Sequence, residues 1–218
     1  LIFLFLRDNG TILILWLTAL TLYRYLGWKK RFLLGMIVMW ILWATIIVSQ
    51  VWYVRKRFDA FINPNADTSG RWITYQVRNA LTSIGAWWLR WKWYGRWLQK
   101  FWYIPEAQSD YIFAAFSEEV WFVGDILLIC WYAWLAWYTL TRIGGIRDDY
   151  LRGVGIWLLC LIIIQACINI AVNTNSMPST GLTLPFISFG GTAIMVNMIE
   201  LVLLHKILTE GKELKRLY

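Results

Sequence analysis

Charged residues are scarce in this sequence: they make up 16% of its 218 residues, against about 25% in ordinary soluble domains. Apolar residues make up 59% and the mean hydropathy is +0.51, so there are too few polar side chains to cover a folded surface. This shortage excludes a soluble enzyme, a nucleic-acid-binding protein and a disordered tail. The uncharged run 32–53 is long enough to cross a bilayer core about 30 Å thick. The sequence therefore predicts an all-α, polytopic transmembrane helix bundle.

Histidine and cysteine are also rare, with one His and three Cys, and their spacing matches no metal site. Cys130, Cys160 and Cys167 fall inside apolar runs and are interpreted as packing residues. The chain starts at Leu1 inside an apolar segment, without the basic stretch and cleavage site of a signal peptide. We therefore expect a single membrane domain over residues 1–218 that is a piece truncated at its N-terminus.

Six apolar segments are predicted as membrane spans: a partial one at 1–6, then 12–26, 32–53, 120–141, 153–172 and 190–209. Three connections rich in Lys and Arg lie on one side by parity: 28–31, 142–152 and the C-terminal tail. Because such short connections mark the cytoplasm, we expect the C-terminus inside and the long loop 54–109 outside. The cations of that loop suit an anionic partner such as a lipid phosphate, or simply neutralise the phosphates of the membrane lipids.

Three segments carry distinctive patterns. The first, 103–124, contains Pro-Glu at 105–106, Asp110 and Glu-Glu at 118–119; the second is the uncharged loop 177–191; the third is Asp-Asn-Gly-Thr at 8–11. In this order they resemble the SEDS family (shape, elongation, division and sporulation), the FtsW/RodA type of peptidoglycan glycosyltransferase. That family has more spans than are present here. The Thr-Gly-Leu-Thr-Leu-Pro-Phe wording at 180–186 favours division or sporulation members over rod-elongation members.

The resemblance implies an inverting enzyme that polymerises lipid II into glycan strands at the outer face of the bacterial cytoplasmic membrane, during cell division or shape maintenance. It also implies a class B penicillin-binding protein as the partner that crosslinks the strand. A lipid II flippase is the alternative. A flippase needs a polar path through the membrane, and only Asp125 and Glu200 are charged deep in the predicted spans. No role is assigned to Glu200. A third hypothesis is that this piece of the protein is inactive.

The chemistry of sugar transfer needs a carboxylate to take the acceptor's proton and cations to stabilise the leaving pyrophosphate. Asp110 matches the family's proposed catalytic Asp; an isolated Asp at this position would instead be interpreted as a helix N-cap, and the resemblance reverses that preference. The candidate substrate-binding residues are Glu106, Arg55, Lys56, Arg57, Gln99 and Lys100. Anchoring in the lipid head groups is the alternative for the cations. Glu106 could also orient a divalent cation, and Mg or Mn is the one cofactor left open, with no metal ligand assigned.

Two further sets of residues belong to the predicted framework. The motif residues with an expected structural role are Pro105, Gly181, Pro185, Ser188, Gly190 and Gly191. Gln165, Asn169 and Asn173 recur every four residues and therefore share one face of a helix. Hydrogen bonds between helices explain this row of amides better than a substrate path does.

Tryptophan is unusually abundant, with 17 residues against 15 glycines. Six tryptophans stand where the family has glycine: Trp87, Trp88, Trp91, Trp93, Trp97 and Trp121. Tryptophan cannot supply the positive φ angles and close approach that glycine allows. We interpret the six as UGA codons that the source organism reads as glycine. The alternative is a genuine Trp-rich interfacial segment, and the codons of the gene distinguish the two.

Overall fold

The computed structural model describes residues 9–27, 29–63, 72–86 and 110–217, and in these ranges it contains seven helices and no strand. In chain order they are α1 (Asn9–Tyr25), α2 (Lys30–Gln50), α3 (Trp52–Ile62), α4 (Trp72–Ala86), α5 (Ile112–Ile143), α6 (Asp149–Asn173) and α7 (Gly191–Leu217). The predicted all-α fold is confirmed. The partial span predicted at 1–6 lies outside the described residues.

Three helices of the described chain are long and apolar enough to cross a membrane: Phe122–Ile143 within α5, Asp149–Asn173, and Gly191–Gly211 within α7. At a rise of about 1.5 Å per residue, each covers the roughly 30 Å of a bilayer core. Shorter apolar stretches occupy Gly10–Tyr25 in α1 and Arg31–Ile46 in α2. The chain is a multi-pass membrane protein.

The region predicted as a loop at 54–109 contains α4 and nearly all of α3. Helix α2 ends at Gln50, Val51 is extended with φ −98° and ψ 103°, and α3 follows at once. Each of the two short helices buries one face, with Val54 and Ala60 in α3 and Val77, Ala80 and Ser83 in α4. The region was predicted as a loop on its many cations, whereas its apolar residues recur with the spacing of a helix.

Helix α6 lies at the centre of the bundle and packs against α1, α4, α5 and α7. Three clusters of buried residues follow its length. The cluster around Ile168 joins α1, α4 and the start of α5, and the cluster around Ile162 joins α5 to the loop after α6. The third, around Ile156, joins α5 and α7 near the connection 144–148. Each end of α6 is therefore fixed by a different set of neighbours.

Charged groups near the connection 144–148 interact with their neighbours in sequence. The Asp148 carboxylate caps α6 by accepting hydrogen bonds from the backbone N–H of Tyr150 at 2.8 Å and of Leu151 at 3.4 Å. Arg152 forms an ion pair with Asp149, three residues earlier on the same helix. These contacts stabilise the first turn of α6.

Candidate functional site

Three segments that are distant in sequence meet at one end of the bundle: the start of α1, the turn before α5, and the loop between α6 and α7. At Gly10 in α1, a Cβ atom would lie 2.7 Å from Leu182 Cγ and 2.9 Å from the Thr180 carbonyl oxygen. Any side chain at position 10 would therefore push α1 away from this loop. The three segments are those that carry the family resemblance, so the structure brings the separate motifs together.

Gly181 lies where a carboxylate and a guanidinium approach each other. Its φ of +81° is in the left-handed region that favours glycine. A Cβ atom at this position would lie 3.7 Å from Asp110 Oδ2, and 3.8 and 3.9 Å from Nη2 and Nη1 of Arg57. The loop therefore passes between the two charged groups without a side chain that would cover them.

Asp110 is half-buried and lies in the turn that precedes α5. Helix α5 begins at Ile112, its N-cap position is Tyr111, and no side chain forms a cap hydrogen bond there. The structure therefore places the N-cap position one residue after Asp110. The structure holds this residue by its main chain instead: the Asp110 carbonyl accepts hydrogen bonds from Nδ2 of Asn169 and of Asn173, each at 3.0 Å.

Gln165, Asn169 and Asn173 form a row of amides along α6, which we call the amide ladder. Asn169 Nδ2 also donates to the Leu182 carbonyl at 2.6 Å, and Asn173 Oδ1 accepts from the Ala114 N–H at 3.0 Å. Gln165 Nε2 donates to the carbonyl and the hydroxyl of Thr183, at 3.0 and 3.1 Å. The predicted hydrogen bonding between elements is confirmed, and it fixes the Asp110 turn and the Gly181 loop to one helix.

The three cations Arg55, Lys56 and Arg57 point in different directions, because successive residues of a helix are rotated by about 100°. Arg57 Nη1 donates to the Ser179 carbonyl at 2.8 Å, beside Gly181. Lys56 Nζ lies 3.4 Å from the centre of the Trp52 ring, and Arg55 is exposed. Of this triplet, Arg57 is the one that reaches the Asp110 site.

Two cavities lie between α2 and α3 and were not predicted from the sequence. The first, of 150 Å³, lies between α1, α2, α3 and the loop after α6, and Arg57 lines it. The second, of 570 Å³, is more open and is lined in part by Arg55. Trp40, Ala44 and Phe58 contribute to both. Scattered apolar residues on two helices form no sequence motif, so only the packing of α2 against α3 brings them together.

The remaining predicted motif residues shape the turn that leads into α7. Pro185 is fully buried and its carbonyl accepts a hydrogen bond from the Tyr132 hydroxyl at 2.7 Å. Ser188 Oγ accepts from the Leu184 N–H at 2.6 Å, and the Gly190 carbonyl accepts from the Ile194 N–H. Gly191 is the first residue of α7.

Several predicted residues lie outside the described part of the chain: Gln99, Lys100, Pro105, Glu106 and the five tryptophans at 87, 88, 91, 93 and 97. Trp121 is within α5, where the helical backbone suits either tryptophan or glycine. Nothing in the described ranges gathers three or more His, Cys, Asp or Glu side chains for a metal ion.

The two acids deep in the helices lie apart from this site. Asp125 is buried in α5 and accepts a hydrogen bond from Ser117 Oγ at 3.0 Å. It follows Asp110 by 15 residues, roughly 22 Å along a helix. Glu200 is half-buried in α7, and its Oε2 has no hydrogen-bond partner in the described part of the chain. The structure gives neither acid a place beside Asp110.

Comparison with known proteins gives one family. The family model for cell cycle proteins of the FtsW, RodA and SpoVE type matches residues 1–213. The stage V sporulation protein E of Bacillus subtilis is 36% identical over 147 residues, which are 67% of this chain and 40% of that protein. The "Probable peptidoglycan glycosyltransferase FtsW" of Alkalilimnicola ehrlichii is 33% identical over 215 residues, 94% of this chain and 51% of the relative. The chain spans about half the length of the curated relatives it matches.

Proposed function

This chain belongs to the FtsW, RodA and SpoVE family of cell cycle proteins, and we propose that the full-length protein is a peptidoglycan glycosyltransferase of the bacterial cell wall. Its donor and acceptor would be lipid II and the growing glycan strand. One observation carries the proposal: the Asp110 carboxylate and the Arg57 guanidinium both lie within 4 Å of the side-chain position at Gly181.

The reaction explains why a base and a cation should lie this close. The acceptor hydroxyl attacks the anomeric carbon of the donor sugar and forms the new C–O bond, while its proton passes to the Asp110 carboxylate. The bond between that carbon and the phosphate oxygen breaks, and its electron pair leaves with undecaprenyl pyrophosphate. Arg57 stabilises this added negative charge. Because the attacking and leaving oxygens lie on opposite faces of one carbon in an inverting transfer, the base and the cation must line the same sugar-sized site.

The experiment replaces Asp110 by Asn in the full-length protein, reconstituted with its partner and supplied with lipid II. Asn keeps the size of Asp but cannot take a proton, so we expect polymerisation to fall about 10²–10⁴-fold at an unchanged melting temperature. Asp148→Asn is the matched control, since an Asn caps a helix as well as Asp does and this residue lies at the other end of α6. The measurement is the amount and length of glycan polymer.

A near-parental rate in Asp110→Asn would overturn this assignment, and Glu106 would then be the next carboxylate to test. The flippase would be supported instead if the parent protein moved lipid II across the bilayer and formed no polymer.

The orientation and the partner are parts of the same proposal. We place the Asp110 end outside the cell because the short cationic connections lie at the other end, which suits the cytoplasm. An impermeant thiol reagent should then label an Asn63→Cys variant in intact cells. A class B penicillin-binding protein would crosslink the new strand and should co-purify with the full-length protein. Failure to label would reverse the orientation, and failure to co-purify would remove the partner.

A further inference from the structure

An open cavity of 770 Å³ lies at the connection between α1 and α2, at the opposite end of α1 from the Gly181 loop. Its volume is within the range of about 300–1,000 Å³ that is typical of ligand sites. The lining consists of a glycine, two cations and three larger side chains: Gly27, Lys29, Arg31, Tyr23, Phe32 and Met36. The cavity therefore combines positive charge with apolar surface, and the sugar transfer proposed at Asp110 makes no use of it.

The two cations of this cavity have no acidic neighbour along the chain. Residues 9–58 contain no Asp or Glu, so neither α1 nor α2 carries an acid. The ion pairs formed among the described residues do not include Lys29 or Arg31. Arg31 instead lies 5.2 Å from the centre of the Phe32 ring. Because α2 begins at Lys30, the positive end of its dipole adds to this charge, and an anionic ligand would offset both.

The connection between α1 and α2 leaves the two cations accessible. Gly27 has a φ of +74°, in the left-handed region that favours glycine, and a Cβ atom there would meet no atom within 4 Å. The Tyr23 hydroxyl donates a hydrogen bond to the Lys29 carbonyl at 3.3 Å, which ties the end of α1 to the residue before α2. The side chains of Lys29 and Arg31 are exposed. A ligand can therefore reach both cations while the main chain of the connection stays fixed.

The apolar part of the lining continues along α2 into the membrane. Phe32 and Met36 lie one turn apart, about 6 Å along the helix axis, in the apolar stretch Arg31–Ile46. Phe32, Leu34 and Met39 are exposed on this part of α2. A soluble anion would leave this apolar wall uncovered, whereas a lipid would cover it with hydrocarbon. The lining therefore suits an anionic group that is attached to an acyl chain.

We propose that this cavity binds an anionic phospholipid of the bilayer, with its phosphate at Lys29 and Arg31 and the first part of an acyl chain along Phe32 and Met36. Basic pockets between membrane helices hold anionic lipid head groups in this way. The site lies about 25 Å from the Gly181 loop, at the far end of the 17 residues of α1, so it is separate from the site of sugar transfer. On the orientation proposed above, the bound lipid belongs to the inner leaflet.

The first test places the full-length protein in phosphatidylcholine nanodiscs that contain phosphatidylglycerol with a diazirine on an acyl carbon near the glycerol. We expect photolabelled residues within 23–36, and unlabelled phosphatidylglycerol should compete with the label. Competition by an equal amount of inorganic phosphate would indicate a site for soluble anions, and stronger competition by undecaprenyl phosphate would indicate a polyprenyl site. Either result would overturn the proposal, as would labelling spread evenly over the lipid-facing helices.

The second test removes both cations in the double variant Lys29→Gln, Arg31→Gln. Each Lys or Arg near a membrane surface contributes about fivefold to the attraction of an anionic lipid, so the fraction of phosphatidylglycerol that half-saturates labelling should rise about tenfold or more. The matched control is Arg147→Gln, Lys206→Gln, which removes the same charge at the same end of the bundle from exposed residues outside the cavity. The control should stay within about twofold of the parent. An unchanged first variant, or equal losses in both, would overturn the proposal.

The lipid site and the glycosyltransferase proposal can fail separately, because the labelling tests measure no turnover. The first test also needs no substitution, so it stands even if the double variant fails to fold. Both leaflets of the nanodisc have the same composition, so labelling within 23–36 is expected whichever way the protein is oriented.

Discussion

Charged residues at the two ends of α6 have partners from different parts of the chain. At the Asp148 end, an aspartate caps its own helix and Asp149 pairs with Arg152 three residues later. At the other end, Asp110 and Arg57 come from distant parts of the chain and meet at Gly181. An exposed ion pair within one helix contributes about a few tenths of a kcal/mol to stability. The stability of that helix is enough to explain such a pair. Charges that only the complete fold brings together are better markers of a functional site.

The two ends also differ in what holds them. The connection 144–148 closes with backbone hydrogen bonds between near neighbours, such as Gly145 N–H to the Arg142 carbonyl at 3.2 Å. At the Asp110 end, amide side chains of α6 donate to the backbone of two other segments. Local sequence therefore accounts for the first arrangement, whereas the second depends on how α6 packs against α1 and α5.

The largest effect that would sharpen this comparison is expected at two arginines of one helix. Arg57→Gln should lower kcat for polymerisation roughly 10²-fold, because it removes a charged donor from the leaving group. Arg55→Gln, on the same helix but exposed, should stay within about twofold, since water and salt screen an exposed cation. The measurement is steady-state turnover of the full-length proteins at equal membrane levels. Equal losses in both variants would mean that the triplet acts as a diffuse cationic patch.

A smaller effect is expected from the amide ladder. Asn173→Leu leaves the buried Ala114 N–H without its acceptor and removes one of the two donors to the Asp110 carbonyl. We expect a loss of about 1–3 kcal/mol in the free energy of unfolding, with lower turnover per folded molecule. Thermal unfolding in detergent checks this variant, and an unchanged melting temperature would contradict the role of the ladder.

The smallest effect is expected at the opposite end of α6. Asp148→Ala removes the N-cap and should cost about 1 kcal/mol of stability, with turnover within about twofold of the parent. The same unfolding and polymerisation assays apply. If this variant lost as much activity as Arg57→Gln, the difference between the two ends would disappear.

Composition and motif spacing predicted the helical fold, the multi-pass character, the family and the hydrogen bonding of the amide ladder. Periodicity sufficed for the ladder because Gln165, Asn169 and Asn173 repeat every four residues within one regular helix. The same reasoning could not separate Arg57 from Arg55. Which of the two faces the site depends on the break at Val51 and on how α3 is rotated against its neighbours.

The cavities and the close approach at Gly10 could not be predicted from the sequence either, for a related reason. Trp40 and Ala44 are ordinary residues of an apolar helix, and the space beside them exists only between packed elements. A glycine near a helix start gives no sign of the loop that it will contact. Contacts between distant segments are decided by packing. A single sequence predicts them only where a family motif marks the segments that meet.

The amide ladder has a mechanical consequence. Helix α6 has 25 residues and is about 37 Å long, and its last residue, Asn173, holds the Asp110 peptide group directly. A helix is stiff along its axis, whereas an irregular loop bends under load. Force applied at the Asp148 end is therefore transmitted to the Asp110 peptide group as displacement, with little lost to bending on the way. The stiffness of the site is therefore set by α6, although the two charged groups of the site, Asp110 and Arg57, belong to other segments.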